Sequence, residues 1–330
     1  MISICHHRKL AATLLAACAM HYAPAALAMQ DGKPVIGFLA FEAGGCRHPA
    51  FHRGLAELGY VDGQNMVFVC RHAGGRYDQL DAMAAELVAL KPEVIVLFGH
   101  GPAKAAQRLT RTIPTVISAS GEPVAMGFAQ SLARPGGNIT GVSYFNTELN
   151  GKRLELLSNL LPGLRRVAML THAEVPEDLT AAYQRDSEAA AKVLGFQLMM
   201  FTFKGTEDLD RTFEQIAAWR AQAVFVSPLR EVTAETKRMA DLSLRHRLPV
   251  MHSRMGFPRA GGLMSYGPDY DVLYHRTASY VDRILKGAKP ADLPVEQPAR
   301  FEFHINLTTA RALGLTVPES LLLRADKVIE

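Results

Sequence analysis

Short apolar runs alternate with helical patterns along most of the chain, and this rhythm restricts the possible folds more than any other feature. The runs at 35–40, 94–98 and 223–226 are almost wholly apolar, which is typical of strands buried on both faces. Between such runs, segments such as 49–58 and 78–90 place apolar side chains at helical spacing. The alternation predicts parallel sheets covered by helices on both faces.

The alternation of strands and helices occurs in both halves of the chain. In the first half, strands are predicted at 35–40, 66–71, 94–98, 115–118 and 139–142, with helices at 49–58, 78–90, 103–109 and 124–132. In the second half, strands are predicted at 166–171, 197–203, 223–226 and 250–252, with helices at 152–161, 179–194, 208–221 and 234–246. The halves share no sequence repeat. A chain of 330 residues exceeds one ordinary core, so two lobes are expected.

Residues 1–28 have the order of a secretory signal peptide. A basic pair at 8–9 precedes an apolar run at 10–20, and residues 26–28 read Ala-Leu-Ala, so cleavage is expected before Met29. This predicts an exported, periplasmic protein.

The same leader contains a second possible signal. Residues 15–18 resemble the lipobox of bacterial lipoproteins, which would place a lipid on Cys18. The apolar run is shorter than the roughly 20 residues that span a bilayer. Either route exports the domain.

Two cysteines remain after the leader, since Cys5 and Cys18 lie within it. An even pair in an oxidising compartment predicts a disulfide between Cys46 and Cys70, near the ends of two strands expected to be neighbours. The alternative is a pair of buried free thiols.

Composition and motifs exclude several classes of function. Without Arg8 and Lys9, the 36 basic residues fall to 34 against 32 acidic ones, and a charge of +2 does not indicate a nucleic-acid partner. The sequence lacks the G-x-S-x-G, H-E-x-x-H, C-x-x-C and P-loop motifs, and G-x-G occurs only at 99–101 without a third glycine. We therefore expect neither an enzyme nor a protein with a cofactor or metal.

Seven stretches carry a specific resemblance: 54–65 (GLAELGYVDGQN), 75–78 (GRYD), 134–141 (RPGGNITG), 151–157 (GKRLELL), 262–268 (GLMSYGP), 280–290 (YVDRILKGAKP) and 310–318 (ARALGLTVP). They resemble the substrate-binding proteins of ABC transporters with the type I periplasmic-binding fold, in the branch that includes tryptophan-type binding proteins. The resemblance covers essentially the whole mature chain. Two segments depart from it, the loop 41–46 and the pair His172-Ala173, where the family pattern has Asn-Pro.

The resemblance implies an α/β fold of two doubly wound parallel-sheet lobes joined by a three-segment hinge. Crossings are expected near 143–146, 265–269 and 296–300. Lobe 1 would comprise 29–145 plus 267–299, and lobe 2 would comprise 146–266 plus 300–330.

The implied function is that of an exported solute-binding component of an ABC transporter. It would capture a small organic ligand, an amino acid or a small carboxylate, between the lobes by hinge closure. The expected partners are this ligand and an ABC permease at the membrane, and the chain is expected to be a monomer. The alternative is a periplasmic ligand-sensing module for a membrane receptor.

Candidate ligand-binding residues follow from the rule that open α/β sheets bind ligands at the carboxyl ends of their strands. In lobe 1 they are Phe41, Glu42, Gly99, His100, Gly101, Ser118, Ser120, Gly121 and Glu122. In lobe 2 they are Thr171, His172, Ser227 and Tyr266.

Gly101 and Gly121 carry the most specific argument. Each precedes a proline suited to the first turn of a helix, so unpaired amides there would attract a ligand carboxylate, unless these are ordinary βα turns. Glu122 would balance a ligand amine or merely cap a helix. Phe41 would stack on the ligand or lie in the core, and His172 would bind it or remain solvated.

Overall fold

A computed structural model describes residues 32–144, 147–175, 177–228 and 235–330 of the chain. The predicted signal peptide, with Cys18, lies outside the described residues. Within the described ranges, no helix combines the length and the apolar character needed to cross a bilayer.

The chain divides into two compact units. The first contains the described residues up to Ser143 together with Asp271–Glu296, and the second contains Tyr144–Tyr270 together with Gln297–Glu330. Residues 144, 267–270 and 297–299 thus belong to the second unit, whereas the sequence analysis assigned them to lobe 1. For residues 267 and 268 the strand pairing explains the difference, because the strand Met264–Pro268 pairs along its whole length with a strand of the second unit.

In the first unit, the strands and helices are β1 (Val35–Ala40), α1 (Pro49–Glu57), β2 (Val67–His72), α2 (Leu80–Ala89), β3 (Val94–Phe98), α3 (His100–Leu109), β4 (Thr115–Gly121) and β5 (Ile139–Tyr144). The strand order is β2-β1-β3-β4-β5, and β1 pairs in parallel with both β2 and β3. Every residue of β1, β3 and β4 is buried, which confirms that apolar runs mark strands covered on both faces.

The predicted helix at 124–132 is wrong. The chain makes a single turn after Pro123 and then closes, with the Phe128 N–H donating to the Pro123 carbonyl at 2.8 Å and the Gly127 N–H to Val124 at 3.0 Å. This is the hydrogen-bond pattern that ends a helix, and Gly127 adopts the left-handed φ of 69° that the pattern requires. The helical spacing in the sequence therefore continues past a residue that stops the helix.

The predicted disulfide is confirmed. Cys46 lies in the 3₁₀ turn Ala43–Arg47 after β1, and Cys70 lies on β2 in register with Phe38. The two Cα atoms are 5.9 Å apart. The bridge ties the loop at 41–46, which departs from the family pattern, to the neighbouring strand.

In the second unit, the elements are α4 (Thr147–Leu160), β6 (Arg166–His172), α5 (Glu177–Leu194), β7 (Gln197–Phe203), α6 (Thr206–Ala218), β8 (Ala223–Val226), α7 (Thr236–His246), β9 (Val250–His252), α8 (Gly256–Arg259) and β10 (Met264–Pro268). Next, α9 (Tyr270–Leu285) leads into the first unit. The chain ends in the second unit with β11 (Phe301–Asn306), α10 (Leu307–Ala312), α11 (Glu319–Leu322) and β12 (Lys327–Ile329).

The second sheet has the order β12-β11-β10-β9-β8-β6-β7. Neighbouring strands of this order are parallel except β10 with β11, which are antiparallel. The predicted fold class, two α/β lobes built on largely parallel sheets, is confirmed.

Replacing Cys46 and Cys70 together with alanine is expected to lower the free energy of unfolding by about 3 kcal/mol, because the bridge closes a loop with a sequence separation of 24. Urea unfolding measures the change. Reducing the wild-type protein should give a similar loss and leave the double variant unaffected. An unfolding midpoint that is the same in both proteins contradicts the expectation.

Candidate functional site

The predicted residues of the first unit lie at the carboxyl ends of three neighbouring strands. Because β1, β3 and β4 are parallel and in register, residues 41–42, 99–101 and 118–122 fall at the same edge of the sheet. The structure thus brings this predicted set to one edge of the sheet. The individual side chains differ in burial and in their contacts within the unit.

Phe41 and Glu42 follow β1. Phe41 is only 3% exposed and belongs to the apolar core, where its ring centroid lies 4.7 Å from that of Tyr77. Glu42 is partly exposed at the start of the 3₁₀ turn and caps no amide with its side chain. Of the two, Glu42 is the side chain at the surface of this edge.

The turn after β3 depends on glycine at two positions. Gly99 has a φ of 101°, in the left-handed region, and α3 begins directly after it at His100. At Gly101, a Cβ atom would lie 2.8 Å from Leu80 Cδ1 and 2.9 Å from Tyr77 Cε1. Gly101 is therefore required for close packing within the unit, a role that the sequence analysis did not consider.

The end of β4 is polar and strained. The hydroxyls of Ser118 and Thr277 lie 2.8 Å apart, and Ser120 is buried with its hydroxyl 3.4 Å from the Gly121 carbonyl. Ala119 and Glu122 adopt φ values of 49° and 25°, which side-chain-bearing residues rarely adopt. Such strain is concentrated at functional sites in many proteins. Because no helix of several turns follows, the expected second set of helix amides is missing after Gly121.

In the second unit, the predicted residues mostly have internal partners. The Ser227 hydroxyl donates to Thr171 Oγ1 at 3.3 Å, and both residues are buried. His172 Nδ1 accepts from the Glu174 N–H at 3.3 Å, and its Nε2 lies 3.1 Å from the Lys204 carbonyl. An Nε2–H tautomer satisfies both contacts. His172 is thus oriented by the backbone around it.

Tyr266 is partly exposed on β10, and burial raises the pKa of its hydroxyl, so it remains a neutral phenol at physiological pH. Its backbone carbonyl accepts a hydrogen bond of 2.7 Å from Arg153 Nε. The peptide of Tyr266 is therefore held by a side chain from α4.

Arg153 is the residue that the sequence analysis missed. It is 0% exposed, its Nη1 donates to Asn150 Oδ1 at 2.9 Å, and burial lowers the pKa of its guanidinium. A signal for it was present, because Asn150, Arg153 and Leu157 share the spacing of one helix face, and Leu157 is a core residue. The predicted helix began at residue 152 and therefore left out Asn150, which pairs with Arg153 on the buried face.

Buried polar groups continue on the neighbouring strands. His252, Ser253 and Ser265 are 0% exposed, and within the described residues His252 Nε2 and the two hydroxyls have no hydrogen-bond partner. Burial lowers the pKa of His252 from 6.5 to about 3, and the charges of Arg254 and Arg153 add to the effect. His252 is therefore neutral at physiological pH.

A metal site is not indicated where the chain is described, since no three His, Cys, Asp or Glu side chains converge there. The chemistry that the two strand-end regions offer is hydrogen bonding and charge pairing with a small polar molecule.

Comparisons with known proteins give one consistent result. The family model for ABC transporter substrate binding proteins matches residues 38–329. A tyrosine-binding protein of Clostridioides difficile is 24% identical over 267 residues, 80% of this chain and 75% of that protein. A structure of the ABC domain of a Streptococcus pneumoniae protein in complex with L-Trp is 26% identical, with a TM-score of 0.80, over 90% of this chain and 100% of that one. A conserved domain protein of Vibrio cholerae is 25% identical, with the same TM-score, over 90% and 99%.

The free energy of unfolding is expected to decrease as the pH is lowered, because of His252. Its pKa is about 3 when folded and near 6.5 when unfolded, so the unfolded chain binds a proton between these values and the folded one does not. Stability from this residue is complete above pH 6.5 and is lost as the pH falls toward 3, by roughly 1.4 kcal/mol per pH unit.

The variant His252→Asn isolates this effect, because an amide oxygen can accept from the Arg254 N–H in place of Nδ1. Urea unfolding at pH 7, 6, 5 and 4 should show a shallower decline for the variant than for the wild type. Parallel declines would show that His252 titrates normally in the folded protein.

Proposed function

The chain belongs to the family of ABC transporter substrate binding proteins, and on that premise we propose that it is the exported solute-binding component of an ABC transporter. The observation that carries this proposal is the match of the family model to residues 38–329, which include both units. The predicted signal peptide supports export to the periplasm. An ABC permease would then be the membrane partner of a monomeric binding protein.

We propose an amino acid as the ligand, with aromatic amino acids first. Support comes from the tyrosine-binding relative and from the structural relative that binds L-Trp. Residues 41–46 and 172–173, which depart from the family pattern, include the candidate contacts Phe41, Glu42 and His172, so they would set the selectivity among amino acids.

We propose that strand-end residues of both units contact the ligand and that the units close on it, as the family membership implies. In the first unit, the support is a set of polar groups that lie at one edge of the sheet, outside the apolar core. These are the first amides of α3, which no side chain caps, and the carboxylate of Glu122 on its strained segment.

Ligand binding should raise the melting temperature. A ligand that binds only the folded state adds about 2.7 kcal/mol to stability at a hundredfold excess over Kd. A thermal-shift screen of the natural amino acids and small carboxylates tests this, and small-angle scattering should show a smaller radius of gyration for each hit. If no compound in the screen changes either quantity, the solute-binding proposal fails.

Glu122→Gln should weaken binding of L-tryptophan and leave binding of its deaminated analogue, indole-3-propionate, unchanged, because only the amino acid has an ammonium group for the carboxylate to pair with. Titration calorimetry measures both affinities. Glu214→Gln, an exposed site on α6, is the matched control and should change neither. Equal affinities for Glu122→Gln and wild type would remove Glu122 from the site.

A further inference from the structure

The second unit contains a buried cation that has no anionic partner among the described residues. Arg153 is 0% exposed, and within the described part of the chain two of its five N–H groups are used, one by the Tyr266 carbonyl and one by Asn150. Its Nη2 has no hydrogen-bond partner among the described residues. A guanidinium stays charged in proteins, so this burial is unfavourable without a partner anion.

Among the described residues, the side chains that interact most strongly with Arg153 electrostatically are phenols and not carboxylates. They belong to Tyr270, Tyr183, Tyr144 and Tyr266. Phenols are neutral at physiological pH and do not compensate a positive charge. In the part of the chain that the structure describes, no Asp or Glu forms an ion pair with Arg153, whereas Arg238, Arg245, Arg300 and Arg324 each pair with an acidic residue.

The surroundings of Nη2 lack a side chain at one point. A Cβ at Gly267 would lie 3.5 Å from Nη2 and 2.5 Å from the Ser253 carbonyl oxygen. Glycine at this position therefore lets β10 pass close to residue 253, and a side chain there would crowd Nη2. The Ser253 hydroxyl is itself buried without a partner among the described residues.

Aromatic side chains flank the same region. The rings of Tyr144 and Tyr270 meet edge to face at 5.6 Å, and Arg254 stacks 4.0 Å from the Tyr270 ring centroid. Stacked and edge-to-face rings are the usual surroundings of a bound aromatic group. The region thus combines the guanidinium of Arg153, the Ser253 hydroxyl and aromatic rings. Among the described residues, Nη2 of the first and the hydroxyl of the second have no hydrogen-bond partner.

We infer that Arg153 is the carboxylate-binding residue of this protein, and that it holds the carboxylate of an aromatic amino acid in the second unit with help from the Ser253 hydroxyl. The inference deepens the proposed function and rests on it. The carboxylate would use the remaining N–H groups of the guanidinium, whose planar fork matches two carboxylate oxygens. It also differs from the sequence-based expectation, which placed the carboxylate at two helix starts of the first unit.

The test compares L-tryptophan with L-tryptophanamide, which keeps the ring and the amine but has no carboxylate. In wild-type protein, L-tryptophan should bind roughly 100-fold more tightly than the amide. In Arg153→Met, the affinity for L-tryptophan should fall to that of the amide, and the affinity for the amide should stay the same. Titration calorimetry measures all four affinities.

Arg324→Met is the matched control, because Arg324 pairs with Glu155 on the same helix α4 and the substitution removes the same charge. Its preference for L-tryptophan over the amide should equal that of the wild type. If Arg153 only fastens α4 to β10, Arg153→Met will weaken both probes by the same factor, and the inference is wrong.

The wild-type comparison can overturn the inference even if Arg153→Met does not fold. Equal affinities of the wild type for L-tryptophan and its amide overturn the carboxylate role and leave the proposed function intact. If no amino acid binds the wild type at all, the proposed function fails, and this inference fails with it.

Discussion

The burial of both faces of parallel strands is the constraint on which the structure depends. In β1, β3 and β4 every residue is shielded from water, and β1 and β3 carry no polar side chain until they end. Their parallel registers then bring all the ends to one edge of the sheet. Charged residues follow these strands at that edge, which is why the candidate contacts Glu42 and Glu122 lie at the same edge of the sheet although they are 80 positions apart in the sequence.

The second unit buries a charged side chain, that of Arg153, in its interior. Arg153 reaches from α4 to the Tyr266 carbonyl on β10, and His252 is kept neutral by its burial. An unpaired buried guanidinium is unfavourable for folding, and a ligand carboxylate would offset that cost upon binding. Stability and ligand recognition would then share the same residue, since the group that destabilises the free protein is the one that an anionic ligand satisfies.

Several candidate residues have structural roles at the strand ends. Phe41 packs in the core, Gly101 admits Tyr77 and Leu80, and His172 is fixed by two backbone contacts. Such residues shape the strand ends. Glu122 lies on a strained segment, and strain of this sort needs the surrounding structure to maintain it. The disulfide of Cys46 adds a covalent constraint to the loop beside them.

The sequence by itself determined the fold class, the strands and most helices, and the cysteine pair, because apolar periodicity and cysteine spacing are local signals that burial and oxidation enforce. It also located the strand ends where ligands bind in such sheets. It failed at residues 124–132, where Gly127 closes a turn that the helical spacing extends. Only the tertiary structure decided that Arg153 is buried beside Gly267, more than a hundred positions away. No local pattern encodes that meeting, since the pairing of a helix with a distant strand is set by packing.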